Sequence, residues 1–166
     1  MPAIESARTR KLLENFQQVS DRIAAACLKG GRNASEVELL AVTKYADPLE
    51  AGFLIESGKV RTAGESKVQD AENKWVSGTL AGVRKAVSLH FIGHLQSNKA
   101  ARAVELFDWI DSVDSLKLAE RISRLAAKRD KKMPVLIQLK LTDSDTQGGI
   151  SPEQAPGLLA EMRKLP

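Results

Sequence analysis

Apolar residues recur at helical spacing over residues 3–28, at the start of the chain. Leu12, Phe16 and Val19 fall on one face of such a helix, with mostly polar and charged residues between them. Gly30 follows directly and is typical of a helix end. The pattern predicts one long amphipathic helix, after which the spacing of apolar residues changes.

From residue 39 onward, short apolar runs alternate with longer amphipathic segments. The short runs predict strands at residues 39–44, 60–65, 88–93, 106–113 and 134–141. The longer segments predict helices at residues 48–57, up to about 76, near 97–106, at 116–129 and at 152–165. Residues that suit the start of a helix precede three of them, namely Asp47 with Pro48, Asp114 or Ser115, and Ser151 with Pro152. The pattern is that of consecutive βα units.

Strictly alternating strands and helices predict a parallel sheet with right-handed crossovers. Two architectures fit this alternation, an open doubly wound sheet and a (β/α)8 barrel. The glycine signature GxGxxG does not follow the first predicted strand, so the Rossmann pattern is missing. A barrel needs eight units in about 250 residues, whereas this chain of 166 residues offers only five. We expect a single domain over residues 1–166.

Composition and charge argue against a membrane or a nucleic acid as the binding partner. The chain has no apolar stretch of about 18 residues and no signal-peptide core near its start, so we expect no membrane contact and a cytoplasmic location. The net charge is +4, but basic and acidic residues alternate and aromatic residues make up only 4% of the chain. This distribution favours a solvated mixed surface over a nucleic-acid interface. The single cysteine, Cys27, is interpreted as a buried apolar residue of the first helix.

Polar residues follow the predicted strands, and in both architectures active sites lie at the carboxyl ends of the strands. Lys44 ends the apolar run of the first strand. A desolvated lysine has a lowered pKa and can attack a carbonyl to form a Schiff base. The alternative is a lysine whose stem covers the strand end while its ammonium group reaches water. The residues alone leave both interpretations open.

Two histidines, His90 and His94, flank the third predicted strand. Four residues of extended chain separate them by roughly 13 Å, which is too far for both to bind one metal ion. We therefore predict no metal site. For each histidine taken alone, a hydrogen-bonded structural role is the favoured interpretation.

Five segments in this order carry a resemblance to a known family: AVTK, GES, HFIGHLQSNK, DSVDSLKLAERI and PVLIQLKL. Together they resemble the pyridoxal phosphate homeostasis proteins, also called proline synthase co-transcribed homologues, which are similar to the N-terminal domain of alanine racemase. The resemblance implies a (β/α)8 TIM barrel of the alanine racemase N-terminal type. This chain would supply about five of its eight βα units plus an N-terminal helix, and would be truncated at its C-terminal end.

The resemblance also implies a cofactor, pyridoxal 5′-phosphate (PLP), bound as a Schiff base on Lys44. Ser66 stands where the family usually has asparagine, and it lacks that residue's amide donor. His90 and Ser112 are expected as neighbours of the PLP ring. In barrels of this kind the phosphate site is formed after strands seven and eight, so we expect this chain to retain PLP weakly.

The function implied is a non-catalytic PLP carrier that takes part in PLP homeostasis and has apo forms of PLP enzymes as clients. One alternative is an amino-acid racemase, which needs a second acid or base on the face opposite the lysine. Tyr45 is the only tyrosine, and as the strand neighbour of Lys44 it is predicted to point away. A second alternative is a fragment or assembly module without ligand function, because an open five-stranded sheet would expose edges that invite self-association.

Overall fold

A computed structural model of the protein describes residues 6–142 and 148–166. Within them the chain forms one parallel sheet whose spatial order follows the sequence order. The strands are β1 (Leu40–Val42), β2 (Thr62–Glu65), β3 (Ser88–Phe91), β4 (Trp109–Val113) and β5 (Val135–Ile137). A doubly wound sheet reverses its strand order at a switch point, whereas a barrel does not. The observed order therefore selects barrel-type winding.

Helices precede β1 and follow each strand, as the alternating pattern predicts. They are α1 (Ser6–Lys29), α2 (Pro48–Glu56), α3 (Val68–Trp75), α4 (Ala100–Leu106), α5 (Leu116–Ala127) and α6 (Ala155–Met162). Two predicted caps are confirmed by hydrogen bonds: the Asp47 side chain accepts from Leu49 N–H and the Ser115 side chain from Leu118 N–H. None of the described helices combines the length and the apolar composition of a membrane span. The first predicted residues of α1, 3–5, lie outside the described residues.

The last helix starts later than predicted. Residues 152–154 form a turn, in which Ser151 N–H donates to the Gln154 side chain at 3.2 Å, and α6 begins only at Ala155. Pro156 explains the difference. It has no amide hydrogen and suits the first turn of a helix, but a helix that began at Pro152 would have placed it in the interior.

β5 is shorter than predicted because the chain changes partners after Ile137. Leu139 forms an isolated bridge with Ile150, supported by Ile150 N–H to Gln138 O at 2.9 Å and Lys140 N–H to Ile150 O at 2.7 Å. Gly149 makes this return possible. Its φ of +127° suits glycine, and a Cβ there would lie 2.8 Å from Leu139 C.

The two faces of the sheet differ in burial. On the helix side, Ala63, Leu89, Phe91 and Ile110 are almost fully buried, and Phe91 packs edge-to-face on Phe107 with ring centroids 5.1 Å apart.

The strand register places Val42, Gly64, His90 and Trp109 side by side on the opposite face, which we call the open face. Val42 is 51% exposed there. The hydrophobic core thus lies between the sheet and its helices, and the open face is exposed at its β1 edge, at Val42.

Candidate functional site

Lys44 lies at the carboxyl end of the sheet, in a turn two residues beyond β1. It is half-buried, and its Nζ lies 5.1 Å from the centroid of the Tyr45 ring, which is 91% exposed. The prediction that Tyr45 points away from Lys44 was wrong. It assumed that the strand continued to residue 44, but β1 ends at Val42 and side-chain alternation does not extend into the turn.

The turn at Lys44 is held by hydrogen bonds to its backbone. Thr43 N–H donates to Gly64 O at 3.0 Å and Ala46 N–H donates to Thr43 O at 3.1 Å. The amine of Lys74, on α3, donates to Thr43 O at 2.9 Å and to Lys44 O at 3.1 Å. The backbone that carries the Lys44 side chain is therefore anchored to both β2 and α3.

Glu65, the last residue of β2, is fully buried beneath this turn. Its Oε1 accepts hydrogen bonds from Thr43 Oγ1 at 2.9 Å, Lys74 Nζ at 3.1 Å and Trp75 Nε1 at 3.3 Å. We call the ion pair of Glu65 and Lys74 the rim pair. GES was used only as one of the segments that carry the family resemblance, and Lys74 was not predicted as a site residue. A glutamate that ends an otherwise uncharged strand was the available signal, since a buried carboxylate needs a partner.

Ser66 is half-buried and follows Glu65 directly. The β1–β2 register ends at Val42 and Gly64, so Lys44 and Ser66 both lie just beyond the paired strands, at the carboxyl end of the sheet. Gly93, at the end of the segment after β3, packs against the Ser66 backbone so closely that a Cβ would overlap the Ser66 carbonyl and lie 2.8 Å from its Cα. The Ser66 backbone therefore leaves no room for a side chain at residue 93.

His90 lies on the open face, in the same row as Val42 and Gly64. Its Nδ1 lies 2.9 and 3.1 Å from the two carboxylate oxygens of Asp111, and its ring stacks on Trp109 with centroids 5.3 Å apart and planes 4° from parallel. A carboxylate at Nδ1 favours a proton on that nitrogen, which leaves Nε2 for another partner. Neither Asp111 nor Trp109 was predicted as a partner of His90.

Ser112 is placed differently from the other three predicted site residues. It is 2% exposed, and its Oγ is buried without a hydrogen-bond partner among the described residues. The β4–β5 register shifts between Ile110 and Val113, so alternation along β4 does not assign Ser112 to a face. Its role as a neighbour of the PLP ring stays a prediction.

The two histidines have separate carboxylate partners. His94 is exposed, and its Nδ1 lies 3.5 Å from Asp114 Oδ2. Within residues 6–142 and 148–166, no group of three or more histidine, cysteine, aspartate and glutamate residues could hold a metal ion. The chemistry at this end of the sheet is therefore that of an amine, a buried ion pair and a carboxylate-bound imidazole.

Comparison with known proteins places this geometry in a family. The model of the alanine racemase N-terminal domain family matches residues 8–166. The pyridoxal phosphate homeostasis protein of Escherichia coli (strain K12) is 34% identical over 155 residues, which are 93% of this chain and 65% of that protein. The chain thus spans just under two thirds of the length of this curated relative.

Two solved structures agree in fold and in sequence. A crystal structure of an unknown protein from Bifidobacterium adolescentis is 34% identical, covers 98% of this chain and 68% of its own, and has a TM-score of 0.87. PipY of Synechococcus elongatus, in a structure with PLP bound, is 33% identical, covers 89% of this chain and 65% of its own, and has a TM-score of 0.69. The predicted resemblance to pyridoxal phosphate homeostasis proteins is confirmed, as is the predicted fold class. The chain belongs to the alanine racemase N-terminal domain family.

Proposed function

We propose that this chain binds PLP through Lys44 and serves in PLP homeostasis, without catalysing a reaction of its own. The observation that carries the proposal is the position of Lys44, which is half-buried in an anchored turn at the carboxyl end of β1. The names of the curated relatives and the PLP in the PipY structure support the choice of ligand. Delivery of PLP to apo enzymes follows from the same proposal.

PLP supplies an aldehyde when it is bound. Lys44 would hold PLP through its amine, in a linkage that forms with loss of water, needs no oxidant or reductant and is reversed by hydrolysis. Reversibility suits a protein that stores and releases its ligand.

The residues near the open face fit an aromatic aldehyde better than they fit a phosphate. Val42 and Trp109 offer apolar surface, and Nε2 of His90, which has no partner among the described residues, offers one polar contact. Asp111 carries a negative charge that opposes a phosphate group. We therefore propose that Lys44 and His90 bind the ring, with Ser66 and Ser112 as further neighbours, and that retention of PLP by this chain is weak.

The carrier role is preferred to racemisation on the position of Tyr45. A racemase needs an acid or base on the ring face opposite the lysine. Tyr45 lies next to the Lys44 amine, so both groups would approach from the same side. We expect no turnover of alanine by chiral chromatography with added PLP, and sustained turnover would contradict the carrier proposal.

A titration with PLP tests the attachment site. Addition of PLP, followed by borohydride and measurement of the intact mass, is expected to give one added pyridoxyl phosphate group per chain. Lys44→Arg keeps the charge but removes the nucleophile, and it should lose the adduct. Lys67→Arg is the matched control, since Lys67 is an exposed lysine at the same end of the sheet, and it should keep the adduct. Equal labelling of Lys44→Arg and the wild type would refute the attachment site.

A second candidate function is self-association through the open face and the edges of the sheet. Val42 on β1 and Leu136 on β5 are both 51% exposed although both lie on strands. Apolar strand residues in solvent favour pairing with a second copy. Light scattering should then give a mass above that of one chain. A monodisperse monomer at high concentration would contradict this candidate.

A further inference from the structure

We infer that Lys74, held in place by Glu65, is a positioning residue for Lys44. This inference rests on the proposed function, because it gives a purpose to the exact placement of the Lys44 amine. Lys74 belongs to α3, thirty residues from Lys44 along the chain. In the fold its ammonium group lies against the turn that carries Lys44.

The contacts of the Lys74 ammonium account for all of its donors. An ammonium group has three N–H bonds, and Nζ lies within 3.1 Å of three acceptors: Thr43 O, Lys44 O and Glu65 Oε1. No donor is left for a ligand. Lys74 therefore acts on the site through the backbone of the turn and not by contact with a bound molecule.

Glu65 fixes this ammonium group relative to the sheet. The Glu65 side chain has no exposed area, and that of Lys74 is only 19% exposed. Glu65 Oε1 also accepts from Thr43 Oγ1 and from the indole N–H of Trp75. One carboxylate oxygen thus joins β2, the turn after β1 and α3. The backbone of Lys44 cannot move away from α3 and Glu65 without breaking contacts in this cluster.

A purely structural role would also explain a buried ion pair. The two interpretations differ in which part of the fold becomes more mobile when the rim pair is broken. A positioning role predicts faster amide exchange at residues 43–46 and weaker PLP binding. Both effects should exceed those that a general loss of stability would cause. The matched control is Arg84, whose guanidinium donates to Val87 O and Leu106 O and pairs with Asp108 at the opposite end of the sheet.

The test compares the wild type with Lys74→Met and Arg84→Met. Without PLP, hydrogen exchange of the amides at residues 43–46 should be about tenfold faster in Lys74→Met and unchanged in Arg84→Met. With PLP, the apparent affinity should fall about tenfold in Lys74→Met and stay within about twofold in Arg84→Met. Unchanged exchange at residues 43–46 in Lys74→Met, or equal effects of the two variants on both readouts, would overturn the inference.

Failure of the proposed function would look different. If the wild type forms no borohydride-trapped adduct on Lys44, the proposed function fails, while the exchange experiment still decides whether Lys74 holds the turn. If Lys74→Met does not fold, Thr43→Val replaces it, because that variant keeps the charges of the rim pair and removes only the Oγ1 contacts to Glu65 Oε1 at 2.9 Å and to Gly64 O at 3.4 Å. Faster exchange at residues 43–46 in Thr43→Val would then support the inference, and unchanged exchange would overturn it.

Discussion

The two ends of the sheet are held by the same kind of contact, in different surroundings. At the amino end, Arg84 joins Val87 O and Leu106 O to the carboxylate of Asp108, and both charged side chains are partly exposed, at 23% and 41%. At the carboxyl end, Lys74 joins Thr43 O and Lys44 O to Glu65, whose side chain is fully buried.

The difference lies in what each cation anchors. Arg84 binds the carbonyl groups of Val87 and Leu106, two apolar residues in the segments that precede β3 and β4. Lys74 fixes a turn that carries an amine. Burying a charge is costly unless it is paired. Loss of the cation should therefore destabilise the fold more at the rim pair than at the Arg84–Asp108 pair. The more deeply buried pair thus lies at the turn that carries Lys44, the proposed attachment site.

The largest effect is expected from breaking the rim pair. Lys74→Met should lower the free energy of unfolding by about 3–5 kcal/mol, because it leaves the buried Glu65 carboxylate without its cation. Urea unfolding followed by circular dichroism measures this. A loss below about 1 kcal/mol would mean that the carboxylate finds another partner, and would remove the contrast with the amino end.

A glycine at each end of the sheet gives the next comparison. Gly93→Ala should cost about 2–3 kcal/mol, because the new Cβ would overlap the Ser66 backbone. Gly82→Ala, in the 3₁₀ helix Ala81–Ala86 before β3, should be close to neutral, since a Cβ there meets nothing within 4 Å. Thermal unfolding of the two variants checks this. Similar losses of stability in Gly93→Ala and Gly82→Ala would show that residue 93 is not packed more tightly than residue 82.

A smaller effect is expected at the amino end. Arg84→Met should lower the free energy of unfolding by about 1–2 kcal/mol, because two carbonyls lose a charged donor while Asp108 can still reach water. The same urea experiment measures it. A loss as large as that of Lys74→Met would contradict the proposed difference between the two ends.

The smallest effect is a dependence on pH at Lys131, whose amine donates to Val104 O and Phe107 O. Burial lowers the pKa of Lys131 below 10.5 in the folded chain. Between the lowered pKa and 10.5 the unfolded chain binds more protons, so stability from this group rises with pH across that window. Partial exposure limits the effect to under about 1 kcal/mol.

To test this, the stabilities of the wild type and of Lys131→Met are measured by thermal unfolding at several pH values up to 10.5. The stability of the wild type relative to the variant should increase toward pH 10.5. A relative stability that falls with pH would mean that the charged amine is favoured in the fold.

The order of strands and helices was predictable from the sequence because it depends on local periodicity and caps. β1 to β5 and α1 to α5 all lie at the predicted places, and only the ends differ. The start of α6 was missed although Pro156 carried the signal. The early end of β5 could not be predicted, because it depends on pairing with Ile150, which is distant in sequence.

The candidate site was predicted only in part, for the same reason. Lys44 was singled out from its place at a strand end, whereas His90 was expected at the site only from the family resemblance. Lys74, Asp111 and Trp109 were not identified as their partners, because these contacts cross between elements and depend on register. Local patterns place residues on elements, but only the assembled sheet determines which of them meet.

The most direct test of the central claim is to map the lysine that PLP labels. The wild-type chain is treated with PLP at low concentration, reduced with borohydride, digested and analysed by peptide mass spectrometry. The account predicts one dominant modified site, at Lys44. Modification spread over the exposed lysines, with Lys44 no more labelled than Lys67, would contradict it.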